Sequence, residues 1–95
     1  MNREEFEEYF QEDHGLKFDD IKNKLSDNRQ LHVFLLLHKL VPSRELSISA
    51  ADHDIIYLNY EPEDLIDVIT KEQIFELSAC RVDYDSRNDY LTLYV

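Results

Sequence analysis

Glycine occurs once in this chain, at Gly15. Phosphate-cradling loops need several glycines so that the backbone can approach the anion closely, so the familiar nucleotide-binding loops are excluded. Cysteine is equally scarce. Cys80 stands alone, which rules out an internal disulfide and leads us to expect a reducing, cytoplasmic setting. The longest apolar run, VFLLL at 33–37, is far short of a membrane span. The opening MNREEFEEYF lacks the basic start and apolar stretch of a signal peptide. No nucleophile elbow and no H-E-x-x-H pattern occurs. Positive charge is short as well: ten Lys and Arg stand against 21 Asp and Glu, a net charge of −11.

What is present suffices for one folded domain spanning 1–95. A chain of this length buries about 60% of the surface it exposes when unfolded. Its 43% apolar content, with six Tyr and five Phe, supports a core without covalent staples. The charge is uneven. Residues 1–20 carry a net −6, residues 21–50 a net +3 and residues 51–95 a net −8. Such a field opposes direct binding to nucleic acid or to an anionic membrane and favours a basic protein partner.

Asn2 followed by Glu5 forms a capping-box pattern, and Phe6, Tyr9, Phe10 and Asp13 share one helical face. The spacing predicts a helix over 3–13, closed near Gly15, with Glu4, Glu5, Glu7, Glu8 and Glu12 on the outward arc. Phe18, Ile21 and Leu25 predict a short helix at 18–26. Residues 29–41 are apolar on almost every side, which predicts a central helix whose wet side holds Arg29, His32 and Lys39. Alternation then predicts a hairpin in which Ala50 faces Ile56, Ile48 faces Leu58 and Leu46 faces Tyr60, around Asp52-His53-Asp54. Pro62 suits a first helical position, and Thr70 with Gln73 forms a second capping box. Residues 71–77 remain open between helix and strand. The tail predicts a second hairpin pairing Tyr84 with Leu91, Val82 with Leu93 and Cys80 with Val95, with Asp83, Asp85, Tyr90 and Tyr94 on its other face. The expected fold is α+β: N-terminal helices and a central apolar helix on one face of a roughly four-stranded antiparallel sheet made of two hairpins.

Few residues invite chemistry. His32 and His38 lie six apart, on different faces of one helix, and cannot share a metal without outside help. Asp52-His53-Asp54 could hold a cation, but such clusters at a turn are commonly only solvated. Cys80 is expected to be buried and inert. No carboxylate pair is singled out for acid–base work. We therefore expect no enzyme, no cofactor and no metal.

The arrangement of acids is more informative. Glu4, Glu8 and Glu12 recur every four residues, roughly 6 Å apart along a helix. Asp83 and Asp85 sit roughly 6–7 Å apart on one strand face. Phosphates along a nucleic-acid strand have comparable spacing. Rows of this kind, with Glu5, Asp89, Tyr90 and Tyr94 beside them, form the candidate partner-binding set. The expectation is a small acidic interaction protein that docks on a basic surface, such as that of a nucleic-acid-binding enzyme, as an inhibitor that mimics nucleic acid. In type, though not in sequence, this is similar to phage anti-restriction and anti-CRISPR inhibitors, which share small size, strong acidity and α+β structure. The alternatives are a self-associating structural or assembly protein, a homodimer through the C-terminal strand, and a small metal protein or enzyme built on Asp52, His53 and Asp54.

Overall fold

The computed structural model describes residues 1–42 and 48–95. Along the chain come α1 (Arg3–Gln11), a 3-10 turn (Phe18–Asp20), α2 (Arg29–Leu40), β1 (Ile48–Asp52), β2 (Ile55–Leu58), α3 (Pro62–Leu65), α4 (Lys71–Ala79), β3 (Val82–Asp85) and β4 (Tyr90–Tyr94). These elements make the α+β fold with a four-stranded antiparallel sheet that the sequence predicts. No helix among the described residues is long and apolar enough to cross a membrane.

The capping box starts α1: Asn2 Oδ1 accepts the Glu5 N–H at 2.8 Å and Glu5 Oε1 accepts the Asn2 N–H at 3.0 Å. Two of the four orphan donors at the helix start are thereby satisfied. Phe6 and Phe10 are buried, and Phe6 meets Phe10 and Tyr84 edge-on at 5.1 and 5.2 Å. The helix stops two residues short of the expected end, because Glu12 turns extended. Gly15 does adopt a left-handed φ of 70°, but in the loop beyond rather than at the helix end.

The helix expected at 18–26 shrinks to one 3-10 turn. Short polar side chains there compete for the backbone: Ser26 Oγ takes the Asn28 N–H at 3.0 Å. The Leu25 N–H is drawn to His32 Nδ1 at 3.1 Å, and the Leu25 side chain is exposed.

Helix α2 corrects a second expectation. His32, Val33, Leu36 and Leu37 are buried, whereas Leu31 and Leu35 are 48% and 39% exposed, beside exposed His38 and Lys39. Of the expected wet side only Lys39 is truly exposed. A helix apolar nearly all round leaves its phase open, and the core selected the arc centred on Val33, Leu36 and Leu37. Arg29 helps set that phase, since its Nη1 donates to the carbonyls of Cys80 at 2.6 Å and Tyr94 at 3.0 Å.

The sheet order is β1-β2-β4-β3, so β4 lies inside and the edges are β1 and β3. Ile48 pairs with Leu58 as predicted, but a bulge follows, and Ala50 faces Tyr57 while Ala51 faces Ile56. The turn is therefore two residues, His53 and Asp54, not three. The expected Leu46–Tyr60 pair lies outside the described residues. In the second hairpin Val82 faces Leu93 and Tyr84 faces Leu91, as predicted. Cys80 does not pair with Val95, because residues 71–79 are helix and Cys80 is its C-cap. Thr70 Oγ1 accepts the Gln73 N–H at 3.2 Å and Gln73 Oε1 the Thr70 N–H at 2.9 Å, a capping box that settles this segment as helix. The tail is held instead by the Tyr94 N–H on the Arg81 carbonyl (3.0 Å) and the Val95 N–H on the Asp54 carbonyl (2.9 Å). Helix α1 lies against α4, α3 and β3, and Phe6, Ile74, Leu77, Leu91 and Leu93 are fully buried in the core.

Candidate functional site

The residues expected to bind a partner divide between two surfaces. On α1, Glu4 and Glu8 are exposed and Glu7 is half-buried. Among the described residues no Lys or Arg forms an ion pair with any of the three. Glu5 serves as the helix cap and also accepts from the Tyr9 hydroxyl at 3.5 Å, so it is structural as well as acidic. Glu12 leaves the row: it lies beyond the last helical turn, 3.8 Å from Lys71 Nζ. The anionic ridge on α1 is thus Glu4, Glu7 and Glu8 rather than the longer Glu4–Glu8–Glu12 series.

The second surface is on β3 and β4. Tyr84 turns its ring toward Phe6 and Phe10, so alternation points Asp83 and Asp85 away from α1. The sheet therefore separates the two acidic rows instead of merging them. Asp83 is exposed, and its Oδ1 accepts the Tyr84 N–H at 2.9 Å. Asp85 organises the turn by accepting the N–H groups of Arg87 (2.9 Å) and Asn88 (3.2 Å) and the Asn88 amide (3.0 Å). Those bonds, the Asn88 side chain foremost, hold the Asp85 carboxyl below its usual range. Tyr90 is half-buried against Tyr57, ring centroids 5.2 Å apart, and Tyr94 is exposed.

Asp89 is not free for a partner. Its carboxylate forms an ion pair with Arg3 and accepts from the Tyr84 hydroxyl at 2.6 Å. Arg3 comes first among the causes that keep the Asp89 carboxyl below the ordinary 3.8, and the Tyr84 hydroxyl second. Arg3 also reaches Glu63 at 2.5 Å. This cluster ties the start of α1 to the β3–β4 turn and to α3.

The acid-histidine turn stays open to solvent: His53 Nε2 and Asp52 Oδ1 are 3.6 Å apart, and both side chains are largely exposed. Among the described residues no three metal-ligating side chains converge. Cys80 is fully buried, and burial first of all pushes its thiol up to about 11.

A site that sequence reasoning missed lies between the 12–23 loop and α4. A groove of about 550 Å³ has Leu16, Ile21 and Phe75 among its lining, with the carboxylates of Glu12, Asp20, Glu72 and Glu76 around them. The His14 ring stacks on Phe75 at 4.6 Å, and His14 Nδ1 accepts the Leu16 N–H at 2.9 Å, which shapes the loop. Asn23 and Glu76 also line a narrower cavity of about 180 Å³ that contains His32. His32 is fully buried and its Nδ1 accepts the Leu25 N–H, so in the neutral ring Nε2 bears the hydrogen. Nε2 lies 3.3 Å from Glu76 Oε1, but off line, and it makes no hydrogen bond. Neither nitrogen then offers a free lone pair, which removes His32 as a metal ligand or a general base in this arrangement. The groove joins residues some sixty positions apart in the sequence. Only the two histidines could have hinted at it, and nothing in their spacing does. Comparison with protein-family models, with curated proteins and with solved structures finds no match to this chain.

Proposed function

We propose that the chain is a cytoplasmic, non-enzymatic interaction protein that docks through its carboxylates on a basic surface of a protein partner. In the form we favour, that surface belongs to a nucleic-acid-binding enzyme, and the acidic rows occupy the place of a phosphate backbone. One observation carries the reading: Glu4, Glu7 and Glu8 stand on one capped, core-anchored helix with no internal cation paired to them among the described residues. Carboxylates held on a rigid element meet a cationic partner without first breaking internal ion pairs. Asp83 on the edge strand adds charge on the opposite face of the sheet.

The test is capture from host lysate by the wild-type chain and by a Glu4→Lys/Glu8→Lys variant, at low and high salt. Basic nucleic-acid enzymes held by the wild type, released by salt and not held by the variant support the proposal. Capture that ignores both salt and charge reversal overturns it.

Self-association is a second reading, and its basis moves. The C-terminal strand β4 is interior, so it offers no edge. Among the described residues the open edge is β1, where all five residues are exposed and only Asp52 is charged. The β3 edge, by contrast, is blunted by Asp83 on the Tyr84 N–H. A sedimentation coefficient that rises with concentration supports this reading, and a constant monomer value removes it.

A further inference from the structure

We infer that the outer face of the sheet, which carries Tyr57, Tyr90 and Tyr94, is a docking surface on which arginine side chains of a protein partner stack. This inference rests on the reading above, that the partner is basic, and names a second contact surface and the side chain it recognises.

Strand alternation separates the two faces of the sheet. Leu58, Val82, Tyr84, Leu91 and Leu93 are buried and point into the core. The residues between them stand on the other face. There the register sets Asp83, Thr92, Tyr57 and Ala50 side by side across all four strands, with Tyr90 and Tyr94 flanking Thr92 along β4. Tyr57 meets Tyr90 edge-on at 5.2 Å, and Tyr94 is 36% exposed further along the same face. Among the described residues no Lys or Arg lies over any of these three rings. Tyrosine offers rigid, amphipathic contact area and is enriched where proteins meet.

Charge selects the occupant. Asp52, Asp83 and Asp85 share this face, and the strands bring no cation to it. Asp85 is engaged by the β3–β4 turn, but Asp52 and Asp83 are exposed on the two edge strands, to either side of the tyrosines. Among the described residues no Lys or Arg forms an ion pair with either. A second copy seated face to face would set these acids against their own kind. A nucleic-acid strand stacking on the rings would bring phosphates to them. Arginine meets both demands of the surface: its guanidinium lies flat on an aromatic ring and offers a fork of donors to a carboxylate beside it. Lysine brings the charge without the planar stack.

The probe is a hexa-arginine peptide titrated into the isotope-labelled full chain and followed by NMR, with hexa-lysine as the control of equal charge. We expect saturable shifts at the Tyr57, Asp83, Thr92 and Tyr94 amides and at the tyrosine ring signals. Hexa-lysine should bind there about threefold more weakly. Tyr94→Leu and Asp83→Asn should each weaken hexa-arginine binding about threefold, and Tyr94→Leu should also narrow the preference for arginine over lysine. Tyr94 is exposed, and asparagine at 83 keeps an oxygen for the Tyr84 N–H, so both variants should give native spectra when free. The Glu4→Lys/Glu8→Lys variant separates this inference from the reading beneath it. Sheet-face shifts persist in that variant if the tyrosines are the site. Shifts confined to α1, or sheet-face shifts lost in that variant, overturn the inference and leave the basic-partner reading standing. Equal affinity for the two peptides, or no saturable shift at all, also overturns it. So do saturable shifts at this face from an oligodeoxythymidine strand, or from concentrating the free chain, which assign the surface to nucleic acid or to a second copy.

Discussion

Three non-glycine residues, His53, Arg81 and Asp89, hold left-handed backbone, with φ of 52°, 71° and 64°. Histidine and aspartate tolerate this region better than most residues, whereas Arg81 follows the C-cap of α4, a place where glycine is favoured. Arg81→Gly is expected to stabilise the fold by about 1 kcal/mol in urea titrations, because the strain of a β-carbon there is removed. Asp89 gives a pH signature. Its carboxyl titrates below 3.8 when folded, so its contribution is complete above that value and is lost as pH falls through the lowered one. Asp89→Asn should therefore flatten the fall of stability below about pH 4, and an unchanged acid slope would count against the Arg3–Asp89–Tyr84 cluster. Cys80, buried and shifted to about 11, should react with a thiol reagent only as fast as the chain unfolds. At this scale Asn2, Glu5, Thr70 and Gln73 were readable as caps because capping is local. The roles of Asp89 and His32 were not, since Arg3 and Glu76 reach them from distant positions.

The elements were legible where their signals agreed and obscure where one signal stood alone. β3 and β4 were placed in register by alternation on two strands at once. The 18–26 helix failed because three apolar residues at helical spacing were opposed by Asn23, Ser26, Asp27 and Asn28. Helix α2 was located but not phased, since Leu, Val and Phe occur on nearly every side and the buried polar residue proved to be His32. That phase is testable. Leu36→Ala should cost about 2–5 kcal/mol, as for other buried leucines, while Leu35→Gln should stay within about 0.5 kcal/mol. Reversed costs in thermal or urea unfolding would mean the helix is turned about its axis. Removing the first-helix cap by Asn2→Ala should cost about 1 kcal/mol.

For the molecule as a whole, the strand order decides how charge is displayed. With β4 interior, Asp83 lies on one edge strand and the charge-poor β1 forms the other. The sheet divides the acids into an α1 ridge and a β3 row, a separation that a linear tally of −6, +3 and −8 could not reveal. Charged rows were legible from residue spacing, and only the fold showed that Glu12, Asp85 and Asp89 are partly engaged inside the protein. What remains outward on α1 is Glu4 and Glu8, with the half-buried Glu7 between them, and the account depends on that ridge meeting cationic side chains. The most direct measurement is the affinity for a captured partner as a function of salt, for the wild type and for Glu4→Lys/Glu8→Lys. The account expects the wild-type affinity to fall steeply with salt and the reversed variant to bind far more weakly at low salt. Equal affinity of the two chains at every salt concentration would contradict it.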